Sequence, residues 1–234
     1  MFFKRFWQHA LATRQRLLCA VGLAACLPGS GWALEIRFLP VAPHVYAYVG
    51  DTEGRTHENE ALNANFGLVV TPGGALLIDS GASFQGARQI AEAVKQVTPL
   101  PIQWVINTGG QDHRWLGNGF FKAQGAELIA HASAEADMKA RGPEQLQANA
   151  PVLKDKLDGT EVVLPTRWLQ TADTSLTLGG VDVQVLHRGG GQRFEVGCRA
   201  GVQELQRRAG VCQGHRTDGA GSPGRAGRAH RLQI

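Results

Sequence analysis

Val105-Ile106-Asn107-Thr108-Gly109-Gly110-Gln111-Asp112-His113-Arg114-Trp115-Leu116-Gly117-Asn118 is the chemically densest stretch of the chain. It opens on the end of Ile102-Gln103-Trp104-Val105-Ile106, a run nearly apolar throughout, as a strand covered on both faces would be. Upstream, Pro99 and Pro101 end a segment whose apolar residues Ala87, Ile90, Ala91, Val94 and Val97 recur at three and four. That spacing predicts a helix lying on a sheet, with Ser83 as its cap. Strand, helix and strand together make a crossover that delivers the Asn107 to Asn118 loop at the carboxyl end of a sheet strand, the usual position for ligands in α/β folds. The same topology predicts that Asp112 and His113 face a cleft.

Further upstream, Phe66-Gly67-Leu68-Val69-Val70 and Ala75-Leu76-Leu77-Ile78 flank Thr71-Pro72-Gly73-Gly74. Proline sets the first turn dihedral and glycine accepts positive φ, so the two runs form an antiparallel hairpin. Val45 to Val49 reads as a short strand before it. Downstream, Glu127 to His131 reads as another strand, followed by a helix over Ala134 to Arg141 capped by Ser133 and a more polar one over Glu144 to Leu157. Thr174 to Leu178 and Val181 to Leu186 form a second hairpin turned by Gly179-Gly180.

Charge divides the chain into three parts. Residues 1–33 carry Lys4, Arg5, Arg14 and Arg16 without an acid, then the apolar run Leu17 to Leu27, and end on Gly31-Trp32-Ala33. This order is that of an export leader, and the apolar run is far shorter than the ~20 residues of a membrane span. The expected location is periplasmic or exported, after cleavage behind Ala33. Leu23-Ala24-Ala25-Cys26 also fits a lipoprotein box, which would leave a lipid anchor on Cys26. Residues 34–191 hold twelve Lys or Arg against 17 Asp or Glu, and residues 192–234 hold eight Arg against three acids. The formal charge of +4 therefore belongs to the two ends. An acidic body repels phosphate, so no nucleic-acid partner is expected. The cysteines, Cys19, Cys26, Cys198 and Cys212, all lie outside that body.

Asn65 to Val70, then Gly74 to Gly81 with its Asp79-Ser80-Gly81 turn, then a helix, then Val105-Ile106-Asn107-Thr108 and a polar loop closed by Gly117-Asn118 resemble the amino-terminal half of the metallo-beta-lactamase-like hydrolases. The similarity runs from about Val41 to Gly191. The loop itself is similar to that of an exported, quinoprotein-associated zinc-hydrolase-like branch. The resemblance implies an α/β fold, an αβ/βα sandwich of which residues 34–191 would form the amino-terminal half to two-thirds. It implies a hydrolase in which zinc-bound hydroxide attacks a small-molecule substrate. Beta-lactams, thioesters, sulfur compounds and phosphoesters are all compatible with it.

The ligand pattern departs from the family's. Members write Asn-Thr-His-x-His-x-Asp-His at this strand end. Aligned without a gap, the two leading histidines fall on Gly109 and Gln111, the aspartate on His113 and the last histidine on Arg114. Matching the Asp-His pair to Asp112-His113 instead still leaves the leading histidines absent. A zinc ion normally takes three or four strong ligands. Here the resemblance offers Asp112 as the catalytic carboxylate and His113 as a metal ligand. Asp79, which would orient the metal loop, is the first of the supporting residues, and Gln111, His131 and His187 complete them. Whether this chain holds zinc or no metal, and whether it is an enzyme, stays open. The alternative is a metal-free periplasmic binding or accessory protein. Trp115 would form an apolar wall beside the site. His44 and His57 need no catalytic account, and no Gly-x-Ser-x-Gly elbow or phosphate loop is present.

After Gly191 the family's next ligand loop should follow, but Gln192 stands where its histidine is expected. Arg207-Arg208 and Gly224-Arg225-Ala226-Gly227-Arg228 bring an arginine and glycine bias unlike the body. Shifted translation of a GC-rich gene would give this bias, and so would a natural basic tail. Half a sandwich would leave an apolar sheet face open, which a dimer could cover.

Overall fold

The computed structural model describes residues 34–187, 194–199 and 230–233. The export leader, its cleavage site, the Cys26 lipid anchor and most of the Arg/Gly-rich tail lie outside the described residues.

A seven-stranded mixed sheet organises the domain. Its strands, in both chain and spatial order, are β1 (Leu39–Ala42), β2 (Val45–Tyr48), β3 (Phe66–Thr71), β4 (Gly74–Ile78), β5 (Ile102–Asn107), β6 (Glu127–His131) and β7 (Arg167–Leu169). The first four pair antiparallel and the rest join in parallel. This division follows from the connections. The two-residue turns joining β1 to β2 and β3 to β4 allow only antiparallel return, whereas β4 reaches β5 through helix α1 (Phe84–Lys95). Ser83 caps α1 by accepting a 3.0 Å hydrogen bond from Gly86 N, as its sequence position predicted.

Both faces of the sheet are covered. On one, Leu68, Leu77, Val105 and Leu128 pack against Ala87, Ile90 and Val94 of α1 and against Phe121 of α3 (Asn118–Ala123). On the other, Val69, Leu76, Ile78, Ile106 and Ile129 meet Leu176, Leu178, Val181, Val183 and Val185 from β8 (Asp173–Leu178) and β9 (Val181–His187). The alternation of β8 and β9 sends one set of side chains into this core and leaves the other in solvent. The apolar face that the sequence reading left open is thus filled by a hairpin of the chain itself.

The second sheet has the order β11, β10, β9, β8, with β10 at Phe194–Arg199 and β11 at His230–Gln233. Strand pairing therefore extends into the segment where sequence alternation fades. The two sheets also meet at their turns. Gly73 N donates to Gly179 O at 3.2 Å, and a Cβ on Gly179 would fall 2.0 Å from Thr71 Oγ1. With φ of 57°, Gly179 suits both the turn and this close approach.

One helical expectation is corrected. Instead of separate helices over Ala134 to Arg141 and Glu144 to Leu157, a single helix α4 runs Glu135–Leu153 through Pro143 and Pro151, followed by one 3₁₀ turn at Lys154–Leu157. Gly142 is retained in it because the Trp115 ring lies against its backbone; a Cβ there would meet Trp115 Cη2 at 2.8 Å. Tertiary packing offsets the helix-breaking character of Gly142-Pro143.

Candidate active site

Strands β4, β5 and β6 are parallel, so Asp79, Thr108 and His131 emerge at one edge of the sheet. The Asn107 to Asn118 loop sits on this edge, as its position after β5 predicted. Ser80 N donates to Arg114 O at 3.0 Å and Gly117 N to Gly81 O at 2.9 Å, seating the loop on the Asp79-Ser80-Gly81 turn.

The loop is closed at its base by an amide pair. Asn118 Nδ2 donates to Asn107 Oδ1 at 2.9 Å, and Asn107 Nδ2 donates to Asn118 Oδ1 at 3.1 Å. Ser80 Oγ donates to the same Asn118 oxygen at 2.9 Å. Both asparagines are fully buried, where such groups are retained only if paired.

Asp79 is buried and holds φ at 64°, a left-handed conformation that aims its carboxylate under the loop. It accepts from Thr108 N and Thr108 Oγ1, both at 2.7 Å. Arg114 Nη1 donates to that hydroxyl at 2.7 Å. Burial pushes the Asp79 carboxyl up to about 6, against the opposing charge of Arg114 and the Thr108 hydrogen bonds. These contacts join Asp79 to the start of the loop at Thr108 and, through the Thr108 hydroxyl, to Arg114.

The top of the loop belongs to α4. Trp115 Nε1 donates to Gly110 O and to Gln145 Oε1, each at 3.1 Å, and Gln145 Nε2 donates to Gly110 O at 2.8 Å. Trp115 is wholly buried against Ala134, Met138 and Ala130, so it is a core residue under α4 and forms no wall of a cleft. At Gly110 a Cβ would lie 2.4 Å from Asp137 Oδ2, so a larger residue there would displace the α4 carboxylate.

Asp112 opens α2 (Asp112–Trp115) with Gln111 before it. It is only 7% exposed and faces a buried polar cluster, where the sequence reading had it facing a cleft. Arg55 grips its carboxylate with two prongs, Nη1 on Oδ2 and Nη2 on Oδ1, the latter at 2.6 Å. Asn149 Nδ2 of α4 adds a 2.9 Å bond to Oδ2, and His113 N one of 2.9 Å to Oδ1. Burial alone would raise the Asp112 pKa. The hydrogen bonds from His113, Arg55 and Asn149, with the Arg55 charge, outweigh it and hold the carboxyl well below its usual range.

His113 Nδ1 lies 3.1 Å from Arg55 Nη2 and 3.2 Å from Asp112 Oδ1. A neutral imidazole with the proton on Nε2 accepts from Arg55; one with the proton on Nδ1 donates to Asp112.

Arg55 was missed by the sequence reading. It lies 57 positions from Asp112, in the segment between β2 and β3, and nothing in its own neighbourhood marks it. The available signal was indirect: a buried aspartate needs a counter-charge, and this loop brings too few metal ligands to supply one. The segment that presents Arg55 is itself ordered by Asn59. Asn59 Nδ2 donates to Gly54 O at 2.8 Å, and Asn59 Oδ1 accepts from Thr56 N at 2.9 Å and Ala61 N at 3.0 Å.

His131 and His187, at the ends of β6 and β9, stack across the two sheets with centroids 4.2 Å apart and planes 16° from parallel. Ser133 N donates to His131 Nδ1 at 3.1 Å. Burial and the neighbouring His187 both lower the His131 pKa, opposed by a backbone hydrogen bond with Thr171. No contact joins this pair to His113 among those described. Also among the described residues, no three His, Cys, Asp or Glu side chains stand together to share a metal ion.

These donors do not fit zinc. Gly109 and Gly110 bring no side chain, Gln111 is neutral, both Asp112 oxygens are committed to Arg55, and His113 remains as a single strong ligand.

Residues 59–191 match the metallo-beta-lactamase superfamily model, and the chain belongs to that superfamily. Its fold is shared with a metallo-beta-lactamase from Cronobacter sakazakii described by a HARLDQ motif, at 23% identity and a TM-score of 0.50, covering 70% of this chain and 60% of that one. A multiply substituted variant of that motif gives 22% identity and a TM-score of 0.51 over the same shares. The chain thus spans about 60% of the length of these neighbours. No curated protein is significantly similar to it.

Proposed function

We propose that this chain is a hydrolase by lineage whose own zinc-dependent turnover is weak or absent, and that it is exported to the periplasm. The observation that carries the reading is the double-pronged Arg55 grip on Asp112, made in a loop that brings no histidine ahead of Asp112. A carboxylate held this way cannot also manage the proton of a metal-bound water without giving up its guanidinium. The test assays this chain beside a relative with the full histidine set on beta-lactam, thioester and phosphoester substrates at matched zinc content. Turnover far below that of the relative supports the proposal; comparable metal-dependent turnover overturns it.

A second reading, a metal-free periplasmic binding or accessory protein, draws on the same ion pair, in which Arg55 supplies the counter-charge of Asp112. Zinc content after removal of loosely held ions separates the two: one tightly held ion per chain favours the hydrolase and none favours the accessory protein. Export rests on the leader. Mass spectrometry of the mature amino terminus tests it, with a start near Leu34 or a lipidated Cys26 expected and retention of Met1 overturning it.

A further inference from the structure

We propose that Arg55 is the resident cation of this site: its guanidinium replaces a metal ion as the counter-charge on which the Asp112-His113 loop is built. The proposal concerns how the loop is held and stands whether or not the chain turns over a substrate.

Three separate segments meet on this one group. The β2–β3 segment supplies Arg55, the loop after β5 supplies Asp112 and His113, and α4 supplies Asn149, whose Oδ1 lies 3.3 Å from Arg55 Nη1. Guanidinium is suited to the position because its planar fork satisfies both carboxylate oxygens at once. The arrangement is also built rather than incidental. Asp112 has a side chain only 10% exposed, Arg55 one 33% exposed, and Asn59 shapes the backbone on either side of Arg55. Ordinary surface pairs lack such burial and convergence.

Occupancy by Arg55 and by a divalent ion are mutually exclusive. A metal on Asp112 would take an oxygen that Arg55 holds and would stand beside a fixed positive charge. Removing Arg55 leaves a buried carboxylate with the Asn149 amide, the His113 backbone N–H and the His113 imidazole beside it, and a space for a small planar cation. Lysine keeps the charge but cannot span both oxygens, so Arg55→Lys restores the pair only in part.

Thermal unfolding of the mature chain and its variants tests this. The native protein should be unmoved by chelator or by equimolar zinc. Arg55→Ala should lower Tm by about 10 °C, the expected scale for stranding a buried charge in a domain of this size. Millimolar guanidinium should recover part of that loss, which a packing role for the arginine stem would not allow. The decisive variant is Arg55→Ala combined with Asp112→Asn, in which the stranded charge is removed. It should unfold at a higher temperature than Arg55→Ala alone, and should be recoverable in folded form even if Arg55→Ala is not. A double variant no more stable than Arg55→Ala overturns the proposal. So does a native protein that loses stability on chelation or gains it with stoichiometric zinc. Turnover is read separately, so loss of the hydrolase reading leaves this result intact.

Discussion

Asn107 and Asn118 exchange side-chain hydrogen bonds of 2.9 and 3.1 Å across the base of the loop they bracket. The base of the loop is therefore closed by groups other than those of α4 and Arg55. Asn118→Ala strands Asn107 Oδ1 and removes the acceptor of Ser80 Oγ and the donor to Val163 O. The expected cost is about 2–3 kcal/mol by denaturant titration, with faster amide exchange concentrated at Thr108 to Gly117. A uniform rise in exchange across the domain would show that the pair does not close the loop locally.

Asp79 makes stability depend on pH in the sense opposite to most acids. Its folded pKa, about 6, stands above the ordinary 3.8, so the native state binds the proton more tightly than the unfolded chain. The stability it contributes is complete below about pH 4 and is lost as pH rises through 6. Asp79→Asn removes this titration. The unfolding free energy of the variant should gain on the native protein by up to about 3 kcal/mol between pH 4 and pH 7. Denaturant titration at the two pH values checks it, and a constant difference between the two proteins would refute it.

Trp115 joins the loop to α4 through one indole nitrogen and one ring edge. Trp115→Ala should cost about 3–5 kcal/mol through the cavity left among Ala130, Ala134 and Met138. Trp115→Phe keeps much of the volume and loses only the two hydrogen bonds, so its cost should be about half as large. Equal losses from the two variants would place the energy in the hydrogen bonds rather than the packing.

The stacked pair His131 and His187 gives a titration prediction. His187 lowers the His131 pKa, second to burial. His187→Gln removes that charge, so the His131 pKa should move upward toward the ordinary histidine value. Imidazole shifts followed by NMR across pH 4 to 8 would read it. An unchanged or lower midpoint would exclude electrostatic coupling between the rings.

Local chemistry carried much of the architecture. The spacing of Ala87, Ile90 and Val94, the Ser83 cap, the Pro72-Gly73 and Gly179-Gly180 turns and the unbroken apolar character of Val105-Ile106 each act over a few residues, and each appears in the fold where it was expected. The family membership was legible from the Asp79-Ser80-Gly81 turn and the Asn107-Thr108 strand end. Short strands were not. Leu39–Ala42 and Arg167–Leu169 flank the sheet and take their conformation from neighbours rather than from their own pattern.

Sequence by itself determined which strand end would hold the loop, and that Gly109 and Gln111 bring no imidazole to it. What neutralises Asp112 was decided only by tertiary structure. Arg55 resembles any other solvent-facing arginine of a polar segment until that segment folds back over the sheet edge. An ion pair across 57 positions has no local signature, because its energy comes from shared burial and not from spacing. The same holds for Trp115 and for helix α4. Gly142-Pro143 reads as a helix break in isolation, whereas the contacts of Met138, Gly142, Gln145 and Asn149 with the loop and its Trp115 ring accompany a continuous helix.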